Sequence, residues 1–176
     1  MTELDAMIDR LVRPIEDWPE PGITFRDITP LLGDAAAYAA SVDALVELAR
    51  EAGPVDAVLG IEARGFLFGP AIAQGLGVGF VPVRKLGKLP AESLSATYDL
   101  EYGSATIEMH VDAIAEGDRV LVVDDVLATG GTLRAAADLV AQAGGVVAGN
   151  LVLIELQALG GRERLAPLGC AAVRTY

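Results

Sequence analysis

Residues 120–132, VLVVDDVLATGGT, constrain this chain more than any other segment. Four consecutive apolar β-formers, Val120 to Val123, read as a fully buried strand. Two adjacent carboxylates, Asp124 and Asp125, sit at its C-terminal end. A short loop then opens into LRAAADLVAQAG, whose apolar residues recur at helical spacing. In an open α/β sheet, ligands bind just beyond the carboxyl ends of the strands. The first turn of the following helix has unspent N–H groups and the positive end of the dipole, which suits a phosphate. Gly130 and Gly131 let the backbone curl closely around that anion, and the Thr129 and Thr132 hydroxyls add donors. The carboxylates would meet the hydroxyl-bearing part of the same ligand. A phosphate cradle beside paired carboxylates describes a ribose 5-phosphate site. It is not a Walker loop, because no Gly-Lys-Ser/Thr triplet occurs.

Along the rest of the chain, strand and helix patterns alternate, which gives a three-layer α/β/α arrangement around a mainly parallel sheet. Helices are expected over 3–13, 35–51 (with Asp34 as N-cap), 66–76, 131–143 and 162–165. Strands are expected over 55–61, 77–83, 106–111, 119–124, 146–156 and 171–175, with a short extended piece at 23–25. Strand 106–111 reads as an edge or hairpin strand, and 119–124 as the central one. Residues 84–97 show no clear periodicity and read as a long loop, a feature that in compact domains is often a functional lid. No repeat, low-complexity tract or linker interrupts the chain, so residues 1–176 are expected to form one domain. The spacing Gly75-x-Gly77-x-Gly79 resembles a dinucleotide fingerprint, but it closes a helix and precedes a strand, the wrong order. Helix termination explains it.

A chain of 176 residues with 52% apolar content is long enough for one substantial core. No apolar run approaches the roughly 20 residues that cross a membrane, and the N-terminus lacks a signal peptide's apolar centre. The single Cys170 excludes an internal disulfide framework and a multi-cysteine metal site. A cytoplasmic location follows as the expectation. A net charge of −12 argues against a nucleic-acid surface, which needs a basic stripe. The basic residues cluster instead at Arg84, Lys85 and Lys88, with Arg64 and Arg26 isolated. His110 reads as a strand residue and Cys170 as a buried thiol.

The segment 120–132 resembles the phosphoribosyl-diphosphate signature of the type I phosphoribosyltransferases. PGITFRDITPLL (21–32), ARGFLFGP (63–70), VRKLGKLP (83–90) and LEYG (100–103) occur in the family's order over most of the chain and narrow the resemblance to members that use adenine. The resemblance implies the type I fold with a small N-terminal hood (about 1–33) and a mobile catalytic loop (about 84–103). It implies transfer of the 5-phosphoribosyl group from 5-phosphoribosyl 1-diphosphate to adenine, giving AMP and diphosphate in purine salvage. Mg²⁺ is expected on the diphosphate, held by substrate oxygens and water rather than by a protein cage. A homodimer is expected, with the apolar ARGFLFGP region suiting a subunit interface. Two other readings stay open. One is a phosphoribosyltransferase for another purine, against which PGITFRDI and LEYG argue. The other is a phosphoribosyl-diphosphate-sensing regulator, which would need a DNA-binding domain or a basic face.

The same resemblance assigns roles. Asp124 and Asp125 accept hydrogen bonds from the ribose hydroxyls, and Ala128, Thr129, Gly130, Gly131 and Thr132 hold the 5-phosphate. Arg64, which on residue type alone could simply pair with Glu62, is placed on the diphosphate, where a planar guanidinium fits two oxygens. Gly65 lets its neighbouring peptide approach the diphosphate, in a turn where the family often has a non-proline cis peptide. Arg84 and Lys85, with Lys88 behind a flexible Gly87, become diphosphate ligands, although a charge run alone reads as a solvated face. Glu101 is the acid/base candidate near adenine N7 or N9, and Tyr102 packs across the closed site. Phe25, by itself an ordinary core residue, stacks on the purine, while main-chain groups of Thr24 and Arg26 recognise the adenine edge.

Overall fold

The computed structural model describes residues 2–18, 20–99 and 103–176. They fall into two compact units, an N-terminal one ending at Ala44 and a second from Leu45 to Tyr176.

In the N-terminal unit, helix α1 (Glu3–Leu11) starts at a reciprocal cap: Asp5 N–H donates to Thr2 Oγ1 (3.1 Å) and Thr2 N–H to Asp5 Oδ2 (2.6 Å). It ends two residues before the expected 13. Pro14 disfavours helical backbone at the residue before it, so Arg13 turns extended. Strand β1 (Arg13–Ile15) pairs antiparallel with β2 (Phe25–Asp27), and the cross-strand partners Arg13 and Asp27 form an ion pair at 2.6 Å. This ladder moves the extended piece to 25–27 from the expected 23–25. Asp27 also accepts the Thr29 N–H at 2.9 Å. The Thr29 bonds, then the Arg13 guanidinium, hold its carboxyl at about 2. The short helix α2 (Thr29–Gly33) is followed by α3 (Ala35–Glu51), where Asp34 Oδ1 caps the Ala37 N–H as its position predicted (3.0 Å).

The second unit is built on a seven-stranded sheet. Its strands are β3 (Ala57–Ile61), β4 (Gly79–Lys85), β5 (Ser93–Asp99), β6 (Ser104–His110), β7 (Arg119–Leu127), β8 (Val146–Glu155) and β9 (Ala171–Thr175). Their order is β5-β6-β4-β3-β7-β8-β9, and all neighbours from β4 to β9 are parallel, while β6 and β5 run antiparallel. Helix α4 (Gly69–Leu76) ends at the left-handed Gly77 (φ 74°), so the glycine spacing there is a helix stop. Helix α5 (Gly131–Gln142) follows β7, and α6 (Gly161–Leu165) precedes β9. Along β7 the side chains alternate. Val120 and Val122 join Leu133, Ala136, Leu139 and Val140 of α5 in the core.

The expectation of a long loop over 84–97 is corrected. Strand β4 runs on to Lys85, and β5 and β6 form an antiparallel hairpin from Ser93↔His110 to Asp99↔Ser104. Leu94, Ala96 and Tyr98 do alternate, and they pack on the core, but one alanine carries the middle of that pattern. Its apolar signal is too weak to separate from loop. Strand 106–111 is a hairpin strand as expected, though β5 and not β6 lies at the sheet edge. No helix among the described residues is long and apolar enough to cross a membrane.

Candidate active site

The chain reverses direction across the sheet between β3 and β7. From β3 it crosses to β4 on one side, and β7 returns to pair with β3 on the other. Such a switch point opens a crevice at the carboxyl ends of the two strands. The segments following β3 and β7 meet there.

Strand β7 extends to Leu127, three residues past the expected 124, so Asp124 and Asp125 lie within its C-terminal part. The extension follows from pairing with β8, whose register continues to Leu127↔Glu155. Asp125 is buried (1% exposed) and Asp124 half-buried. Asp124 Oδ1 accepts the Asp125 N–H at 2.9 Å. Arg64 Nε lies 2.9 Å from Asp125 Oδ2, an ion pair whose geometry leaves that buried oxygen without a hydrogen bond. Burial pushes the Asp124 carboxyl well above its ordinary value, and the neighbouring Asp125 charge adds to this. Asp125 is raised by burial too, while Arg64 pulls the other way. Asp124 therefore holds its proton more tightly than a solvated carboxyl does, and hydroxyl donors or cations would favour its charged form.

Arg64 stands in a 3-10 turn (Arg64–Leu67) directly after β3, preceded by a cis Glu62–Ala63 peptide. It forms an ion pair with Asp125. Glu62 is engaged elsewhere: it accepts the Lys85 N–H at 3.0 Å and faces the Arg84 guanidinium at 3.3 and 3.4 Å. The Lys85 N–H, and after it Arg84, lower the Glu62 carboxyl below its usual range. Gly65 has a reason that the sequence did not expose. A Cβ there would come within 2.7 Å of the Val123 carbonyl oxygen, so only glycine lets this turn lie on β7 beside Asp124.

The loop after β7 forms a small cavity of about 60 Å³ lined by residues 126–133, which include Ala128, Thr129, Gly130, Gly131 and Thr132. Gly130 is left-handed (φ 81°), as a loop curling into α5 requires. The first N–H groups of α5 have no partner within the helix, so they face this cavity as anion donors. The loop leans on a segment that sequence reading missed. A Cβ on Gly130 would meet the Gly161 carbonyl at 2.7 Å, and one on Gly161 would meet the Ala128 carbonyl at 2.3 Å. Two glycine backbones thus pack directly against each other, a contact between residues some thirty positions apart that no local pattern announces.

The basic run is a turn fastened by hydrogen bonds, not a free loop. Lys88 N–H donates to the Lys85 carbonyl (3.2 Å), Gly87 N–H to Glu108 Oε2 (2.8 Å), and Arg84 Nη1 to the Lys88 carbonyl (3.2 Å). Gly87 serves it with φ 77°, and Lys85 and Lys88 remain exposed. In the N-terminal unit, Phe25 is half-buried with the edge of Trp18 against it (centroids 4.5 Å apart, 67°), Thr24 is exposed and Arg26 half-buried. Trp18, half-exposed, was not singled out by its sequence context. Glu101 and Tyr102 lie outside the described residues. In ARGFLFGP, Phe68 is fully buried and Phe66 meets Phe80 edge-on (5.8 Å), leaving Leu67 39% exposed. Cys170 is partly buried, and burial pushes its thiol up to about 12, which keeps it protonated. Among the described residues no group of three or more His, Cys, Asp or Glu could hold a metal ion.

The phosphoribosyl transferase domain family matches residues 32–167. An adenine phosphoribosyltransferase from Thermobifida fusca is 56% identical over 176 residues, covering 99% of this chain and 98% of its own. Among solved structures, an adenine phosphoribosyltransferase from Thermoanaerobacter pseudethanolicus superposes with a TM-score of 0.91 at 48% identity, covering 97% of this chain and 99% of that one. The Saccharomyces cerevisiae enzyme, complexed with an imino-altritol bisphosphate and adenine, gives a TM-score of 0.91 at 37% identity over 98% and 99% of the two chains.

Proposed function

Because the chain belongs to the phosphoribosyltransferase family, in its adenine phosphoribosyltransferase branch, we propose that it transfers the 5-phosphoribosyl group of 5-phosphoribosyl 1-diphosphate to adenine, releasing AMP and diphosphate for purine salvage. The observation that carries this reading is the carboxylate pair Asp124–Asp125 beside the cradle of residues 126–133, with Arg64 reaching it from the end of β3. A sugar that bears both hydroxyls and a phosphate matches that arrangement, and a bare phosphate, which offers the carboxylates no hydroxyls, does not.

In this reading the N–H groups of the cradle and the Thr129 and Thr132 hydroxyls hold the 5-phosphate. Asp124 and Asp125 accept from the ribose 2- and 3-hydroxyls, which satisfies oxygens otherwise desolvated. Their negative charge also steadies the ring as the bond to diphosphate breaks and positive charge develops there. Arg64 exchanges Asp125 for the diphosphate, which Arg84, Lys85 and Lys88 meet from the turn after β4. Attack by adenine nitrogen from the opposite side inverts the anomeric carbon, and Glu101 takes up the proton that the base loses. Phe25 supplies an aromatic face for the purine, with main-chain groups of Thr24 and Arg26 at its edge, and Tyr102 covers the site. Exclusion of water from the site protects an ion-like transition state from hydrolysis.

The hard oxygens of Asp124 and Asp125 fit a Mg²⁺ that arrives on the diphosphate and keeps mostly substrate and water ligands. When bound, it neutralises charge on the leaving diphosphate. The exposed Leu67 suits a homodimer contact, and a cytoplasmic location agrees with the substrates. AMP formation from adenine, with guanine and hypoxanthine assayed in parallel, tests the reading. Turnover with adenine alone is expected; turnover with another purine instead would discard the base pocket.

A further inference from the structure

The cradle after β7 carries no cation of its own. Ala128, Thr129, Gly130, Gly131 and Thr132 offer N–H groups and hydroxyls, yet a phosphate monoester brings up to two negative charges into a chain whose net charge is −12. Helix-terminus donors each contribute modestly at an exposed site. A compensating cation close to the first turn of α5 would change that balance, and the molecule provides one from a different segment.

Helix α6 is fixed relative to the cradle on two sides. The Gly130–Gly161 and Gly161–Ala128 backbone contacts leave no room for a side chain between loop and helix. From the opposite direction, Arg162 is gripped by the buried Glu155, with Nε and Nη2 each 2.6 Å from a carboxylate oxygen, and it also donates to the Cys170 carbonyl. Two residues further on stands Arg164. Its guanidinium carbon lies 3.7 Å from where a Cβ on Gly131, the first residue of α5, would sit. The side chain is exposed and makes no hydrogen bond or ion pair to any described residue. An exposed arginine beside an anion cradle, its donors engaged by no described residue, has the geometry of a ligand group.

Resting on the reading of residues 126–133 as the 5-phosphate cradle, we propose that Arg164 is a binding residue for that phosphate, supplying the cation which the loop itself lacks. It pairs with the 5-phosphate end of the substrate and makes no contact with the diphosphate or the base. Its contribution belongs to substrate binding, and turnover of the bound complex does not depend on it.

The test compares wild type with Arg164→Gln and Arg164→Lys, using ribose 5-phosphate and inorganic diphosphate as separate calorimetric probes alongside steady-state kinetics. A charge-assisted hydrogen bond at an exposed site corresponds to about tenfold in affinity. Arg164→Gln should therefore bind ribose 5-phosphate about tenfold more weakly and raise KM for the sugar diphosphate by a similar factor. Diphosphate affinity, kcat and the melting temperature should stay unchanged, and Arg164→Lys should recover most of the loss. Equal ribose 5-phosphate binding by wild type and Arg164→Gln would overturn the proposal while leaving the cradle intact. A joint loss of affinity for both probes with a lowered melting temperature would reduce Arg164 to a structural role and overturn it as well. If wild type fails to bind ribose 5-phosphate, the cradle reading falls first and the proposal with it.

Discussion

Asp124 shows how a single residue can work against the fold that holds it. Its carboxyl is raised well above 3.8 because the surrounding protein desolvates it and Asp125 adds like charge. A folded-state value above the unfolded one means that the native state binds the proton more tightly. Stability from this group is then full below the unfolded value of about 4 and is lost as pH rises through the raised value. At neutral pH the ligand-free protein bears that cost. Asp124→Asn should therefore raise the melting temperature of the free protein at pH 7, by a few degrees for each kcal/mol recovered, with the gain shrinking towards pH 4. An unchanged or lower melting temperature at pH 7 would mean that Asp124 is not strained. Such a cost is what the proposed binding role of Asp124 predicts, since folding alone would not favour the position.

At the scale of elements, much of the architecture was legible in the sequence because burial and period agree. Val120–Val123 announced the buried strand β7, although β3 and not β7 is the middle strand of the seven, Asp34 announced the start of α3, and Ala171–Thr175 the last strand. What could not be read arose from long-range contacts. The β5–β6 hairpin carries its pattern on Leu94, Ala96 and Tyr98, and only pairing with β6 turns that faint alternation into a strand. Glu62, which in the sequence stood only as a possible partner of Arg64, proves to staple Arg84 and the Lys85 backbone. Gly161, which no local pattern marks, packs directly against the loop at Ala128 and Gly130. The position of α6 depends on the Glu155–Arg162 pair, where Glu155 is 3% exposed. Arg162→Ala should cost about 3–5 kcal/mol of unfolding free energy, since it leaves a buried carboxylate unpaired. Urea unfolding measures this, and a cost under about 1 kcal/mol would mean that the pair behaves as a surface ion pair.

For the molecule as a whole, the acidic net charge and the anionic substrate are reconciled by placement. In the proposed site the cations stand at the end of β3, where Asp125 faces Arg64, at the end of β4, where Glu62 faces Arg84, and on α6. The motifs in 120–132 and 63–65 pointed to the proposed sugar-phosphate half of the site, because strand ends, glycines and paired carboxylates are local features. They did not locate Arg164 or Trp18, which reach their positions only through tertiary packing.

The central claim is that Asp124 and Asp125, with the cradle beyond them, hold the ribose 5-phosphate part of the substrate. Calorimetric binding of 5-phosphoribosyl 1-diphosphate in the presence of Mg²⁺, by wild type and by the Asp124→Asn, Asp125→Asn double variant, tests it most directly. Loss of two charged acceptors, each corresponding to about tenfold in affinity, predicts binding weaker by about a hundredfold in a variant that still folds. Binding of the sugar diphosphate by that folded variant with wild-type affinity would contradict the account.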